Sequence, residues 1–151
     1  MKKVLLMALT CALVLFGLTG CAKNNWELGE ESPIDPELNM KKNGALLMPE
    51  DLTNTSIKYT LTNEKYETLE YNDSYEIEKY KKKKWYKINV QQEFDGTIKT
   101  LKRGESALID VNWENSYGEL KWGQYRFLQQ VTGITKDGER VTFYVTSYMV
   151  M

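Results

Sequence analysis

Residues 120–127 have the sequence LKWGQYRF, and this stretch decides the fold class because it joins a turn to a strand. After Gly123 the side chains alternate with period two, and one face carries Tyr125, Phe127, Gln129 and Val131. Since successive side chains of a β-strand point to opposite faces, this alternation predicts a strand with one face in a core. A turn of sequence KDGE at residues 136–139 leads to a second such strand at residues 141–146.

Short alternating stretches also occur upstream of this strand, at residues 57–62, 75–78, 85–90 and 107–113. They are rich in β-branched and aromatic residues, and no proline follows Pro49 to interrupt a hydrogen-bonded ladder. No stretch has a helical period long enough for a substantial helix. We therefore expect one all-β domain over residues 44–151, an antiparallel sandwich or barrel of about seven strands.

The turn before the late strand narrows the choice of fold. Leu120, Gly123 and Tyr125 resemble the tyrosine corner of immunoglobulin-like sandwiches, in which the tyrosine hydroxyl bonds to upstream backbone. Phe127 occupies the position where antibody domains place a disulfide cysteine. Trp85 lies on a middle strand, where such sandwiches bury a tryptophan. These four signature positions, Trp85, Gly123, Tyr125 and Phe127, favour the sandwich over the barrel.

A wider set of residues is similar to bacterial immunoglobulin-like domains, namely those at positions 61–63, 75–79, 84–87, 113–114 and 117–126. The resemblance spans roughly Met48 to Val150. It implies an antiparallel immunoglobulin-like β-sandwich from a cell-envelope protein or lipoprotein of Gram-positive, low-GC bacteria. The matching positions are turn and core residues, so the resemblance implies no catalytic set.

Residues 1–20 are expected to be a signal peptide. Lys2 and Lys3 precede an apolar run of about fifteen residues, which is short for a membrane-spanning helix. The run ends in LTGC at residues 18–21, which resembles the lipobox of bacterial lipoproteins. That resemblance implies a diacylglycerol thioether on Cys21 and lipid anchoring to the outer face of the cell membrane. The alternatives are an uncleaved anchor or an ordinary signal peptide with a chance cysteine.

Residues 21–43 are expected to form the acylated N-terminus and a flexible tether. No period of two or 3.6 is sustained there, and a flexible chain of about twenty residues has an r.m.s. reach of about 25 Å. Trp26 has three possible positions: at the membrane interface, docked on the domain, or in solvent. Because Cys11 leaves with the signal peptide and Cys21 is acylated, we expect no disulfide in the domain.

Composition excludes several kinds of chemistry. The chain has no histidine, which removes the usual Ser–His and Cys–His nucleophile pairs and the commonest neutral metal ligand. A net charge of -1 gives no reason to expect nucleic-acid binding. Asp110, Glu114 and Glu119 would need a cleft to act as a glycosidase pair, which a sandwich of this size seldom forms. We expect no enzyme, no metal and no cofactor.

Two features are candidates for ligand contact. Lys81, Lys82, Lys83 and Lys84 could meet anionic wall polymer or lipid headgroups, or they could cap a solvated hairpin, which we favour. Glu76, Glu78 and Glu93 flank the lysines and would offset much of their field. The aromatic residues could stack on sugars, although most lie at alternating core positions; Trp122 has the opposite parity to the core set.

The predicted function is therefore a non-catalytic binding module on a membrane-anchored lipoprotein. Its partners would be membrane lipid through Cys21 and an envelope protein or wall polymer, and we expect a monomer. The alternative is an envelope inhibitor or immunity-type protein that occludes a toxin or protease with a loop or an edge strand.

Overall fold

The computed structural model describes residues 26–34 and 43–151, and these residues form ten strands and one short helix. The elements are β1 (Glu27–Glu31), β2 (Ala45–Leu52), β3 (Ser56–Asn63), β4 (Thr68–Tyr71), β5 (Glu76–Lys81), β6 (Lys84–Asn89), β7 (Lys99–Lys102), β8 (Ser106–Asn112), α1 (Glu114–Tyr117), β9 (Gln124–Ile134) and β10 (Arg140–Val150). The all-β prediction is confirmed, with ten strands instead of about seven. The additional strands are short, and two of them have only four residues.

Two antiparallel sheets pack around one core. The smaller sheet has the order β2-β3-β8. The larger sheet is built on β9, which pairs with β10 along one edge. Along its other edge β9 pairs with β5 over its first half and with β4 over its second half. Strands β6 and β1 extend the sheet beyond β5, and β7 extends it beyond β4. Strands β3 and β8 therefore face the β5-β9-β10 layer, as in immunoglobulin-type sandwiches.

The period-two pattern accounts for the core. On β3 buried and partly buried residues alternate without a break, and Ile57, Tyr59 and Leu61 are fully buried. They meet Tyr125 and Phe127 of β9, which are also fully buried. Pro49 lies on the edge strand β2 beside an irregularity in the β2–β3 register, which is where a residue without an N–H is tolerated.

The expected flexible tether is interrupted by structure. Strand β1 lies inside residues 21–43 and pairs with β6, with Leu28 opposite the buried Ile88. Trp26 docks on the domain, where its indole N–H donates to the carbonyl of Tyr117 at 2.8 Å. The sequence ELGEE has neither the alternation nor the residue types that predict a strand. It forms one because β6 supplies the hydrogen-bonded ladder. The predicted signal peptide and Cys21 lie outside the described residues.

The prediction that Trp85 is the buried core tryptophan is wrong. Trp85 is half-buried on the face of β6 opposite to the core residue Ile88. The fully buried tryptophan is Trp113, just after β8, whose indole N–H donates to the carbonyl of Asn54 at 3.0 Å. Both tryptophans follow an alternating pattern, so periodicity alone left open which of them faces the opposite sheet.

Candidate functional site

The corner before β9 has the hydrogen bond expected of a tyrosine corner. The hydroxyl of Tyr125 donates to the carbonyl of Lys121 at 2.8 Å and accepts from Lys79 Nζ at 3.0 Å. Gly123 has a φ of 154°, a conformation that glycine adopts far more easily than other residues. Phe127 is fully buried, and its ring lies 5.4 Å from that of Tyr59. The corner holds a loop on which Trp122 is 88% exposed.

The four lysines form the expected hairpin between β5 and β6. Lys81 pairs with Lys84 in the ladder, and Lys82 and Lys83 make the two-residue turn. Both turn residues have positive φ, 50° and 65°, where asparagine and glycine are preferred. Lys84 bonds Glu31 of β1 at 2.6 Å, which raises the pKa of Lys84. In the part of the chain that is described, the other three lysines form no ion pair.

A buried ion pair on the outer face of the large sheet was not anticipated. Glu78 lies opposite Arg126 across β5 and β9, with Arg126 Nε and Glu78 Oε2 2.5 Å apart and both side chains fully buried. The segment after β1 covers this pair. Arg126 Nη2 donates to Ser32 Oγ at 3.0 Å and to the carbonyl of Ile34 at 3.2 Å. The ring of Trp85 lies 4.8 Å from the guanidinium carbon, a cation–π contact.

A cleft of about 410 Å³ opens between the two sheets beside β8. Its polar lining consists of carboxylates and side-chain amides, and its walls carry the aromatic rings of Tyr59, Tyr75 and Phe94. The carboxylates are Asp73, Glu93 and Asp110, and the amides are Gln91, Gln92, Asn112, Asn115 and Gln129. No lysine or arginine is among the residues that line it. Local sequence patterns do not predict this cleft, because its lining comes from six separate segments.

The floor of the cleft is ordered by hydrogen bonds. The hydroxyl of Tyr59 donates to Gln129 Oε1 at 2.8 Å, and Gln129 Nε2 donates to the carbonyl of Asn72 at 2.7 Å. Burial raises the pKa of Tyr59 well above its usual value of 10. Asp73 pairs with Lys99 at 2.5 Å, and Asp110 lies 3.8 Å from Lys58. These lysines lie outside the lining and hold two of its carboxylates in place.

Of the three carboxylates considered for catalysis, Asp110 lines the cleft, and Glu114 and Glu119 do not. Asp110, Glu114 and Glu119 are all exposed. A hydrogen bond from Asn54, together with Lys121, lowers the pKa of Glu119, whereas a general acid needs a raised one. Among the described residues, no group of three or more acidic, cysteine or histidine side chains could hold a metal ion.

The paired antiparallel sheets and the tyrosine corner define an immunoglobulin-type sandwich, a class that usually acts by binding. The chain belongs to the family of bacterial Ig-like domains, whose family model matches residues 47–146. This family is typically non-catalytic, and it confirms the resemblance drawn from the sequence as far as the domain is concerned. No curated protein and no solved structure matches the chain. Within residues 26–34 and 43–151, no helix is both long and apolar enough to cross a membrane.

Proposed function

We propose that this chain is a lipoprotein of the bacterial cell envelope whose Ig-like domain binds a neutral glycan in the cleft between its sheets. The observation that carries the proposal is the cleft itself, which combines aromatic walls with the amides of Gln91, Gln92, Asn112 and Asn115. The fifth amide, Gln129, is buried and orders the floor. Its volume of about 410 Å³ falls within the range of about 300–1,000 Å³ that is usual for small-ligand sites.

The lining favours a neutral sugar over other ligands. Amide side chains both donate and accept hydrogen bonds, which suits the hydroxyl and acetamido groups of a sugar. The ring of Phe94 is 38% exposed and packs edge-on against Tyr75 at 5.5 Å, so part of an aromatic surface remains available for stacking. Three carboxylates and no cation among the lining residues disfavour a uronic acid or a phosphate.

The anchor is supported by the sequence of residues 1–21. A basic start, an apolar run of signal-peptide length and the LTGC sequence occur in the order that a lipoprotein precursor requires. Acylation at Cys21 would supply two chains, and stable membrane attachment needs two such signals. The domain would then bind its glycan on the outer face of the membrane.

Calorimetric titration of the full-length protein in detergent micelles tests glycan binding. We expect saturable binding of N-acetylhexosamine oligomers and none of matched uronic-acid oligomers. Phe94→Ala should weaken this binding about five- to tenfold through lost stacking. Asn115→Ala should also weaken it, because Asn115 lines the cleft and is exposed. Leu108→Ala is the matched control, since Leu108 is 61% exposed on β8 and does not line the cleft.

Two results would contradict the glycan proposal. One is an absence of binding to every oligosaccharide while the protein remains folded. The other is binding whose affinity is the same in the Phe94→Ala, Asn115→Ala and Leu108→Ala variants. Capture of a toxin or a protease by the wild-type cleft, lost in the same two variants, would replace glycan binding with the inhibitor function.

A further inference from the structure

The strand register brings three features to one end of the large sheet: the lysine turn, the corner loop and the last residues of β10. Lys79 pairs with Tyr125, so the β5–β6 turn extends beside the corner loop that carries Trp122. At the other edge of β9, Val150 pairs with Gln124. We call this region the basic end and define it by Lys81, Lys82, Lys83, Trp122 and Val150.

The basic end combines exposed apolar surface with unpaired positive charge. Trp122 is 88% exposed and Val150 is 74% exposed. Lys81, Lys82 and Lys83 are exposed and have no ion-pair partner within the described residues. Tryptophan beside lysine is the combination that settles at the interface of an anionic bilayer, because the ring is amphipathic and the cations attract the headgroups.

Two of the three carboxylates expected to offset the lysines are engaged elsewhere. Glu78 is fully buried against Arg126, and Glu76 pairs with Lys87 at 3.6 Å. Glu93 lines the cleft. Glu31 offsets Lys84 at 2.6 Å, so the uncompensated charges of the hairpin are those of Lys81, Lys82 and Lys83, although the whole chain has a net charge of only -1.

The turn itself is not optimised for folding. Lys82 and Lys83 both adopt positive φ, which asparagine and glycine tolerate at lower cost. A turn that needed only to be soluble would not require two lysines in this strained conformation. Local strain of this kind often accompanies a binding role.

The docking of Trp26 shortens the connection between the proposed anchor and the domain. Only four residues, 22–25, separate Cys21 from Trp26, so the chain between them can span at most about 18 Å. The ring of Trp26 lies 5.4 Å from Lys79 Nζ, which is 3.0 Å from the corner hydroxyl of Tyr125. Because Glu27 pairs with Asn89, the chain enters β1 at the end of β6 away from the lysine turn, about 17 Å along the strand from Lys84. That distance is within the span of residues 22–25, so the domain cannot stand far from the anchor.

From these observations we infer that the basic end docks onto the anionic surface of the membrane to which the proposed lipid anchor attaches the chain. Trp122 enters the interface, and Lys81, Lys82 and Lys83 contact the headgroups. The inference rests on the proposed lipid anchor. It replaces the expectation of a solvated turn and orients the domain on the bilayer.

Fluorescence quenching by brominated lipids tests the docking. Acylated full-length protein would be reconstituted into phosphatidylglycerol-rich vesicles and into pure phosphatidylcholine vesicles. We expect quenching in the anionic vesicles that Trp122→Phe largely removes. Replacing the turn by Lys82→Asn with Lys83→Gly should reduce the docked-to-undocked ratio about fivefold for each lysine, while the turn keeps a favoured sequence. High salt should have the same effect as this replacement.

Removing charge at the opposite end provides the matched control. Lys102→Asn with Lys136→Asn deletes two cations near the far end of β9 and should leave the quenching unchanged. Vesicle-bound protein whose quenching is indifferent to Trp122→Phe and to the turn replacement overturns the docking and leaves the anchor intact. Wild-type protein that bacterial cells produce without an acyl chain on Cys21, and that stays in the aqueous phase, would instead refute the anchor. Lysine-dependent binding to purified wall polymer without Trp122 quenching also overturns the docking.

Discussion

The buried Glu78–Arg126 pair provides a quantitative test of the structure. At an effective dielectric constant of about 20, unit charges 2.5 Å apart attract by about 7 kcal/mol. Desolvation costs several kcal/mol for each ion, so the net contribution of the intact pair is small. Removing only the negative charge by Glu78→Gln leaves Arg126 buried without its counter-ion. This change should lower the free energy of unfolding by about 3–5 kcal/mol, a large fraction of the total of about 5–15 kcal/mol.

Equilibrium urea unfolding, followed by tryptophan fluorescence and far-ultraviolet circular dichroism, measures this loss. The double variant Glu78→Leu with Arg126→Met should recover most of it, because neither buried charge remains. Glu70 and Arg140 provide the matched control, since they also lie 2.5 Å apart but the Arg140 side chain is 57% exposed. Arg140→Gln should cost about 0.2–1 kcal/mol.

Two outcomes of the unfolding series would refute the reasoning. Glu78→Gln could cost no more than Arg140→Gln, in which case the pair is not desolvated in solution. The double variant could lose as much free energy of unfolding as Glu78→Leu and Arg126→Met lose together when measured singly, in which case the two charges do not interact. Agreement with the expected values would also establish that residues 32–34 cover the pair, because solvent access would weaken it.

Tyr125→Phe should lower the free energy of unfolding by about 1–2 kcal/mol, because it leaves the carbonyl of Lys121 without its donor. Phe127→Ala should lower it by about 3–5 kcal/mol through a core cavity. Denaturant melts that place both variants within about 0.5 kcal/mol of wild type would reject the corner. Cys21→Ser should transfer the protein out of the detergent phase or stall it as a precursor, and a mature mutant that still partitions with membranes would contradict the lipobox. Burial raises the pKa of Tyr59 above its unfolded value, so the stability that its protonated phenol contributes is fully present below a pH of about 10 and is lost as the pH rises further. Burial raises the pKa of Tyr117 in the same way, so alkaline spectrophotometry should show phenols that ionise only when circular dichroism is lost, and Tyr59→Phe should reduce their number by one.

The local pattern of the sequence determined the strands and the corner. Alternation placed Ile57, Tyr59 and Leu61 on one face of β3, and the structure buries all three. The Gly123 and Tyr125 spacing predicted the hydroxyl bond to upstream backbone that the structure contains. These features were readable because their cause is local, since strand geometry fixes which side chains share a face and a turn fixes its own glycine. The proposed anchor at Cys21 also comes from local sequence alone.

Only the tertiary structure decided how the faces are used. Periodicity put Glu78 and Arg126 on the outward face of the large sheet, where exposure was the natural expectation. They are buried because Ser32 and Ile34, more than forty residues away in sequence, cross that face. The cleft between the sheets, the strand β1 and the basic end likewise depend on contacts between segments far apart in sequence. The physical reason is that alternation specifies only the two sides of a strand. Which strands pair, and which segments cover an outward face, is set by the free energy of the assembled sheets.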